Sequence, residues 1–151
     1  MKIVIQKVKQ ASVVVDERCV GAIDHGLLLL VGITPEDNAT DIDFVVRKVL
    51  QMRLFEDAKG VMNLSVQDVG GQILCVSQFT LLASTRKGNR PSYSGAARPE
   101  IALPLFNDLL KSLEKGLGKT IPTGVFGADM QVQLVNDGPV TIILDSRDGQ
   151  A

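Results

Sequence analysis

Three stretches of the chain put polar or charged groups where a plain structural role would not need them. The first is Ser77-Gln78-Phe79-Thr80-Leu81, which sets an amide and two hydroxyls into the otherwise apolar run 73–82. If that run is a strand, period two places Leu74, Val76, Gln78, Thr80 and Leu82 on one face. Gln78 and Thr80 then interrupt an aliphatic surface, and burying either without a partner costs about 1–3 kcal/mol. Either the core satisfies them or a site opens there. A hydroxyl is a poor nucleophile at neutral pH without an adjacent base, and no His, Lys or acid stands in the segment. The chemistry that suits it is attack on an already activated ester, driven by positioning and by an oxyanion hole to which the N–H groups near Phe79 and Thr80 would donate. A base from elsewhere in the fold and an ordinary structural role for Gln78 and Thr80 both stay open.

The second stretch is Asn136-Asp137-Gly138-Pro139-Val140-Thr141. Its residue types suit a hairpin turn. With a cis Gly138-Pro139 bond it would instead be a rigid backbone device whose two carbonyls point the same way, with glycine permitting close approach to a ligand. The third is the run Arg86-Lys87-Gly88-Asn89-Arg90, followed by Arg98, in a span between Asp68 and Glu100 that holds no acidic residue. Such a run is a solvated surface or a phosphate contact.

Composition removes several alternatives. With 16 basic against 17 acidic residues, the chain lacks the basic excess of a broad nucleic-acid binder, and DNA is not an expected partner. Four of the 16 cations lie in the acid-free span, so the remainder of the chain carries 12 against 17. Any grip on RNA is therefore local. Six aromatic residues and no Trp leave few stacking platforms. One histidine and two distant cysteines give neither a zinc site nor a Ser-His-Asp triad, so no metal or cofactor is expected. Cys19 and Cys75, both in apolar runs, read as free, buried small hydrophobes in a reducing, cytoplasmic setting. The first residues lack a signal-peptide core, and the run 26–33 is too short to span a bilayer.

A chain of 151 residues can bury about two-thirds of its unfolded surface and needs no disulfide to hold a core. Runs at 2–9, 11–16, 20–24 and 27–33 read as a strand meander, with the lone His25 at a hairpin tip. Thr34-Pro35 opens a helical stretch, with a capping box at Thr40-Asp41-Ile42-Asp43. Strands follow at 61–66 and 73–82. A second helix begins at Arg98-Pro99-Glu100 and carries Ile101, Leu105, Leu109, Leu113 and Leu117 along one face, with Gly116 and Gly118 as its stop. Strands at 121–126, 130–136 and 140–144 close the chain, the last two joined through Asp137-Gly138-Pro139. The pattern predicts one α+β domain over 1–151: a curved, barrel-like, antiparallel-rich sheet with two main helices.

The motifs together resemble the D-aminoacyl-tRNA deacylase family almost end to end. The likeness runs through Val8-Lys9-Gln10-Ala11-Ser12-Val13, Gly26-Leu27-Leu28, Phe55-Glu56-Asp57, Met62-Asn63, Ser77 to Leu81, Lys87 to Ser92, Phe126 to Met130, and Asn136 to Thr141. The pair Ser-Gln-Phe-Thr and Gly-Pro-Val-Thr at this separation is the specific part. The resemblance implies an editing hydrolase that cleaves D-aminoacyl-tRNA, with glycyl-tRNA mischarged on the alanine tRNA as a second substrate. It implies a homodimer with its site at the subunit interface: Ser77, Gln78, Phe79 and Thr80 from one chain, and Gly138-Pro139 from the other as the filter against L-amino acids. Ala102, Phe126 and Met130 match pocket positions, and Arg86, Lys87 and Arg90 would contact the tRNA. The 2'-hydroxyl of the terminal adenosine is expected to assist catalysis, which removes the need for a protein base. Tyr93 stands where the family often has Phe, and Ser84-Thr85 is atypical. The rivals are a noncatalytic RNA- or protein-binding module and a purely structural dimer.

Overall fold

The computed structural model describes residues 1–149. The strand β1 (Lys2–Val15) organises it. Along one edge its first half pairs antiparallel with β3 (Gly26–Gly32) and its second half with β2 (Arg18–Ile23). Its other edge pairs antiparallel with β7 (Gln131–Asp145). The strand β6 (Gln72–Ser77) adds in parallel to β3, so the curled sheet is mixed. A small separate ribbon joins β4 (Phe55–Glu56) to β5 (Met62–Leu64).

The sheet is covered on both faces, which explains why 26–33 is apolar without alternation. Leu27, Leu29, Val31, Ile73 and Cys75 face the helices α1 (Ala39–Gln51) and α2 (Pro99–Leu117). Leu28, Leu74 and Val76 belong to a second cluster with Val8, Ala11 and Val13 of β1. The parallel register Leu27↔Ile73, Leu28↔Leu74, Leu29↔Cys75 keeps the two sets apart.

Several expectations change. The first two runs form one strand, β1, kept continuous by irregularities beside Lys7 and Lys9. The two runs after Met130 likewise form one strand, so residues 136–141 make no hairpin. Gln6 pairs with Thr141 and Val8 with Asn136, so Asp137–Val140 bulge opposite the single Lys7, with a cis Gly138-Pro139 bond inside the bulge. Gly138 has φ of +146°, and a Cβ there would lie 2.7 Å from Val140 Cγ2. The segment 121–126 makes only a bridge from Thr123 to Cys75, and the strand expected at 61–66 shortens to Met62–Leu64. The buried face of α2 is Ala102, Phe106, Leu109 and Leu113, with Ile101 43% exposed. The expected leucine stripe was thus rotated off the core at its start. Cys75 is buried as expected, whereas Cys19 lies exposed on β2. His25 sits at the β2–β3 bend, edge-on to Phe55 at 5.1 Å.

The capping box of α1 is also shifted. Asn38, not Thr40, is the N-cap: its side chain accepts from Thr40 N at 2.9 Å, and Asp41 accepts from Asn38 N at 3.0 Å. Thr34 to Asp37 stay outside the helix because the Asp37 carboxylate accepts from Thr34 N at 2.7 Å and from the Met1 ammonium at 2.5 Å. Ser146 joins this buried cluster, accepting from the Met1 ammonium at 2.8 Å and donating to Asp41 at 2.6 Å. It ties the end of β7 to α1 across the start of β1.

Burial alone would raise the Asp41 carboxyl, but the Ser146 hydroxyl, the Asn38 N–H, the Met1 ammonium and Arg147 together hold it below its ordinary 3.8. A depressed folded value stabilises the protein above the unfolded value, and that contribution is lost as pH falls through the folded one. Asp41→Asn is expected to cost about 1–3 kcal/mol at pH 7 and to flatten the acid limb of unfolding free energy against pH in denaturant titrations. An acid limb identical to wild type would show that Asp41 contributes nothing. Burial pushes the Cys75 thiol up to about 12, so a thiol reagent should titrate Cys19 in the native protein and Cys75 only after denaturation.

Candidate functional site

The site begins where β6 leaves the sheet. Val31 O accepts from Gln78 N at 2.7 Å as the last rung with β3. Gln78 then departs from strand geometry, with φ of −145° and ψ of 74°, and Phe79–Leu82 form a 3-10 turn. The strand therefore ends at Ser77, five residues before the predicted end at Leu82. Alternation does not extend to Gln78 and Thr80, whose polar groups satisfy each other: the Gln78 amide donates to Thr80 Oγ1 at 2.5 Å. Gly32 admits the turn over the end of β3. A Cβ on Gly32 would lie 3.1 Å from Leu81 Cβ and 3.3 Å from Gln78 O.

The turn leaves two backbone donors free. The first N–H groups of a helical turn have no acceptor inside it. Among the described residues, neither Phe79 N nor Thr80 N donates to any other group. The turn also pushes the Phe79 ring outward, 56% exposed and edge-on to Tyr93 at 5.2 Å.

Two cavities flank this segment and share Ser77, Phe79 and Gly127 as walls. The larger, about 330 Å³, is lined by Val31, Ile33, Ala102 and Phe126 on its apolar sides and by Tyr93, Arg98 and Pro99 toward the rim. The smaller, about 220 Å³, is lined by Val76, Gln78, Ala128, Met130 and Val132. Ala102 and Phe126 thus stand together, while Met130 stands on the other side of the shared wall. Arg86, Lys87 and Arg90 are exposed on a loop pinched by the Ser84↔Ser92 bridge and line neither cavity. Gly138 and Pro139 are exposed on β7 and also line neither.

Residue reasoning missed Val31 and the segment Ala96-Ala97 as cavity walls. Val31 enters because the parallel register sets it beside Ser77, and a parallel register leaves no mark in a single sequence.

Among the described residues no His, Cys, Asp, Glu or Lys lines either cavity, and Arg98 is the single charged residue on their walls. Among the described residues no group of three or more His, Cys, Asp or Glu is placed to hold a metal ion, and no helix is long and apolar enough to cross a membrane. Cys75, two residues before Ser77, is a core thiol and no nucleophile. What the site offers is a pair of unpaired N–H groups, the Ser77 hydroxyl, the Gln78–Thr80 pair and apolar walls. That set can stabilise a developing oxyanion and position an ester; it cannot activate a nucleophile by proton transfer to a side-chain base.

Comparison with known proteins gives the family. The family model described as D-Tyr-tRNA(Tyr) deacylase matches residues 4–145. A D-aminoacyl-tRNA deacylase of Chromobacterium violaceum is 60% identical over 147 residues, covering 97% of this chain and 98% of that protein. One of Flavobacterium psychrophilum is 57% identical over the same coverage. A solved structure named c-Myc DNA Unwinding Element Binding Protein is 44% identical, superposes with a TM-score of 0.91, and is matched over 96% of this chain and 98% of that one. A probable eukaryotic D-amino acid tRNA deacylase, 16% identical with a TM-score of 0.80 over 95% of this chain and 97% of that one, shares the fold. With a family model spanning nearly its whole length and relatives this similar, the chain belongs to the D-Tyr-tRNA(Tyr) deacylase family.

Proposed function

We propose that this chain hydrolyses the ester of D-aminoacyl-tRNA, releasing the D-amino acid and the tRNA. The observation that carries the reading is the free N–H pair at Phe79 and Thr80, set between two cavities without a side-chain base. An aminoacyl ester is already activated, so donors aimed at the carbonyl oxygen supply the main stabilisation the transition state needs. Water adds to the carbonyl carbon, the ester C–O bond breaks, and the leaving 3'-oxygen takes a proton. The vicinal 2'-hydroxyl of the tRNA assists that proton movement. Ser77 and Gln78 shape the ester site, and Thr80 holds the Gln78 amide in place rather than attacking.

Selection against L-amino acids is assigned to Gly138-Pro139 of a second copy in a homodimer. Three observations support this. The Gly138-Pro139 step is exposed and lines neither of the two cavities beside Ser77 and Phe79 in its own chain. Strand β7, 15 residues long, pairs only with β1, so its outer edge has no partner among the described residues, an arrangement that invites pairing with another chain. The strand also exposes Leu134, Val135 and Ile143, the last at 72%. Exclusion works by backbone contact, so glycine passes the filter and glycyl-tRNA is a second substrate. Arg86, Lys87 and Arg90 meet phosphates of the tRNA acceptor end, and the enzyme works in the cytoplasm.

Purified protein should release the amino acid from D-tyrosyl-tRNA at least tenfold faster than from L-tyrosyl-tRNA; equal rates would leave a binding module as the better reading. Thr80→Ala should keep a rate within about fivefold of wild type, while a tRNA ending in 2'-deoxyadenosine should react poorly. The opposite pattern would assign the chemistry to Thr80. Gly138→Ala, which forces a Cβ against Val140, should reduce the ratio of D to L rates in a protein whose circular dichroism matches wild type; an unchanged ratio would remove the filter from this strand.

A further inference from the structure

Arg98 is the single charge on the wall of the larger cavity. Its backbone is fixed: it is the N-cap of α2, and its carbonyl accepts from Ile101 N and Ala102 N, each at 2.9 Å. Its side chain caps nothing, and among the described residues its guanidinium makes no ion pair or hydrogen bond, not even with Glu100 two residues on. Apart from Ser77 and Tyr93 the other side chains of the cavity wall are apolar, and the Phe79–Tyr93 pair is exposed at its edge. The cavity thus suits a planar ring carrying an anion at the rim. In an aminoacyl-tRNA the amino acid's carboxylate is tied up as the ester, so the anion nearest the reacting bond is the phosphate 5' of the terminal nucleoside.

We propose that Arg98 is a positioning residue that binds this phosphate and holds the terminal nucleoside at the larger cavity. This rests on the deacylase reading above. It separates Arg98 from Arg86, Lys87 and Arg90, which line no cavity and would meet phosphates farther along the strand. Arg98 touches no reacting atom, so its loss weakens binding and leaves the chemical step alone.

Two measurements test it. With D-tyrosyl-tRNA, Arg98→Ala should raise KM about tenfold with kcat within twofold, lower the slope of log KM against log salt by about 0.7, and be partly rescued by Arg98→Lys. D-tyrosyl-adenosine, which lacks the phosphate, should show no difference between the two proteins. An equal KM effect on both substrates, or none on the tRNA, would overturn the assignment. Calorimetry with adenosine and adenosine 5'-monophosphate needs no turnover: the monophosphate should bind wild type about tenfold more tightly than adenosine, and Arg98→Ala should bind both alike. The same advantage in the variant, or none in wild type, would overturn the proposal. Wild-type protein that hydrolyses no D-tyrosyl-tRNA would overturn the deacylase reading, while the nucleotide comparison would still decide the role of Arg98.

Discussion

The hydrogen bond from Gln78 N to Val31 O is the constraint on which the site depends. It is the last rung between two parallel strands buried on both faces, and beyond it β3 ends at Gly32. The chain leaving β6 must either expose more strand edge or turn. It turns across the end of β3, where Gly32 has no side chain in the way, and a turn of helical sense leaves its first N–H groups without acceptors. Two unsatisfied donors that would be a defect in a core lie instead beside two cavities, where the proposed reaction would use them to hold a negative oxygen. The Gln78 amide closes on Thr80 Oγ1 and keeps the turn in this form.

The rest of the fold fixes that rung. The core on the helix side packs Leu29, Val31 and Cys75 beneath α1 and α2, while Leu28, Leu74 and Val76 pack on the other face. Packing from both sides leaves the β3–β6 pair no freedom to slip register, since a one-residue slip would exchange the two apolar sets. The buried cluster of Met1, Asp37, Asp41 and Ser146 then secures the start of α1 to the start of β1 and the end of β7.

Much of this was legible in the residues. The apolar run 26–33 and the helical spacing in α1 and α2 set the layers, and the polar interruption at Gln78 and Thr80 falls where the strand ends between two cavities. Alternation was carried through to Leu82 because Gln-Phe-Thr-Leu-Leu contains no Gly or Pro to signal a turn; what ends the strand is the length of its neighbour, a long-range property. The Asn136–Thr141 segment has every residue of a hairpin turn, yet β1 is long enough to pair on both sides of it, so it becomes a bulge within one strand. Asn38 outcompeted Thr40 as N-cap because Asp41, not Asp43, reaches back to the cap N–H. Cys19 sits in an apolar run that happens to form an exposed edge strand.

The positive charge of the chain is concentrated locally. The cations of the acid-free span gather on one loop and at one cavity rim, and the cavities themselves are otherwise uncharged. The central claim is that backbone donors, and no side-chain nucleophile, face the ester carbonyl. A crystal structure with a non-hydrolysable amide analogue of D-tyrosyl-adenosine tests it directly. The account predicts the analogue's carbonyl oxygen about 2.7–3.1 Å from the Phe79 and Thr80 nitrogens; a carbonyl turned away from both, with Thr80 Oγ1 placed to attack its carbon, would contradict it.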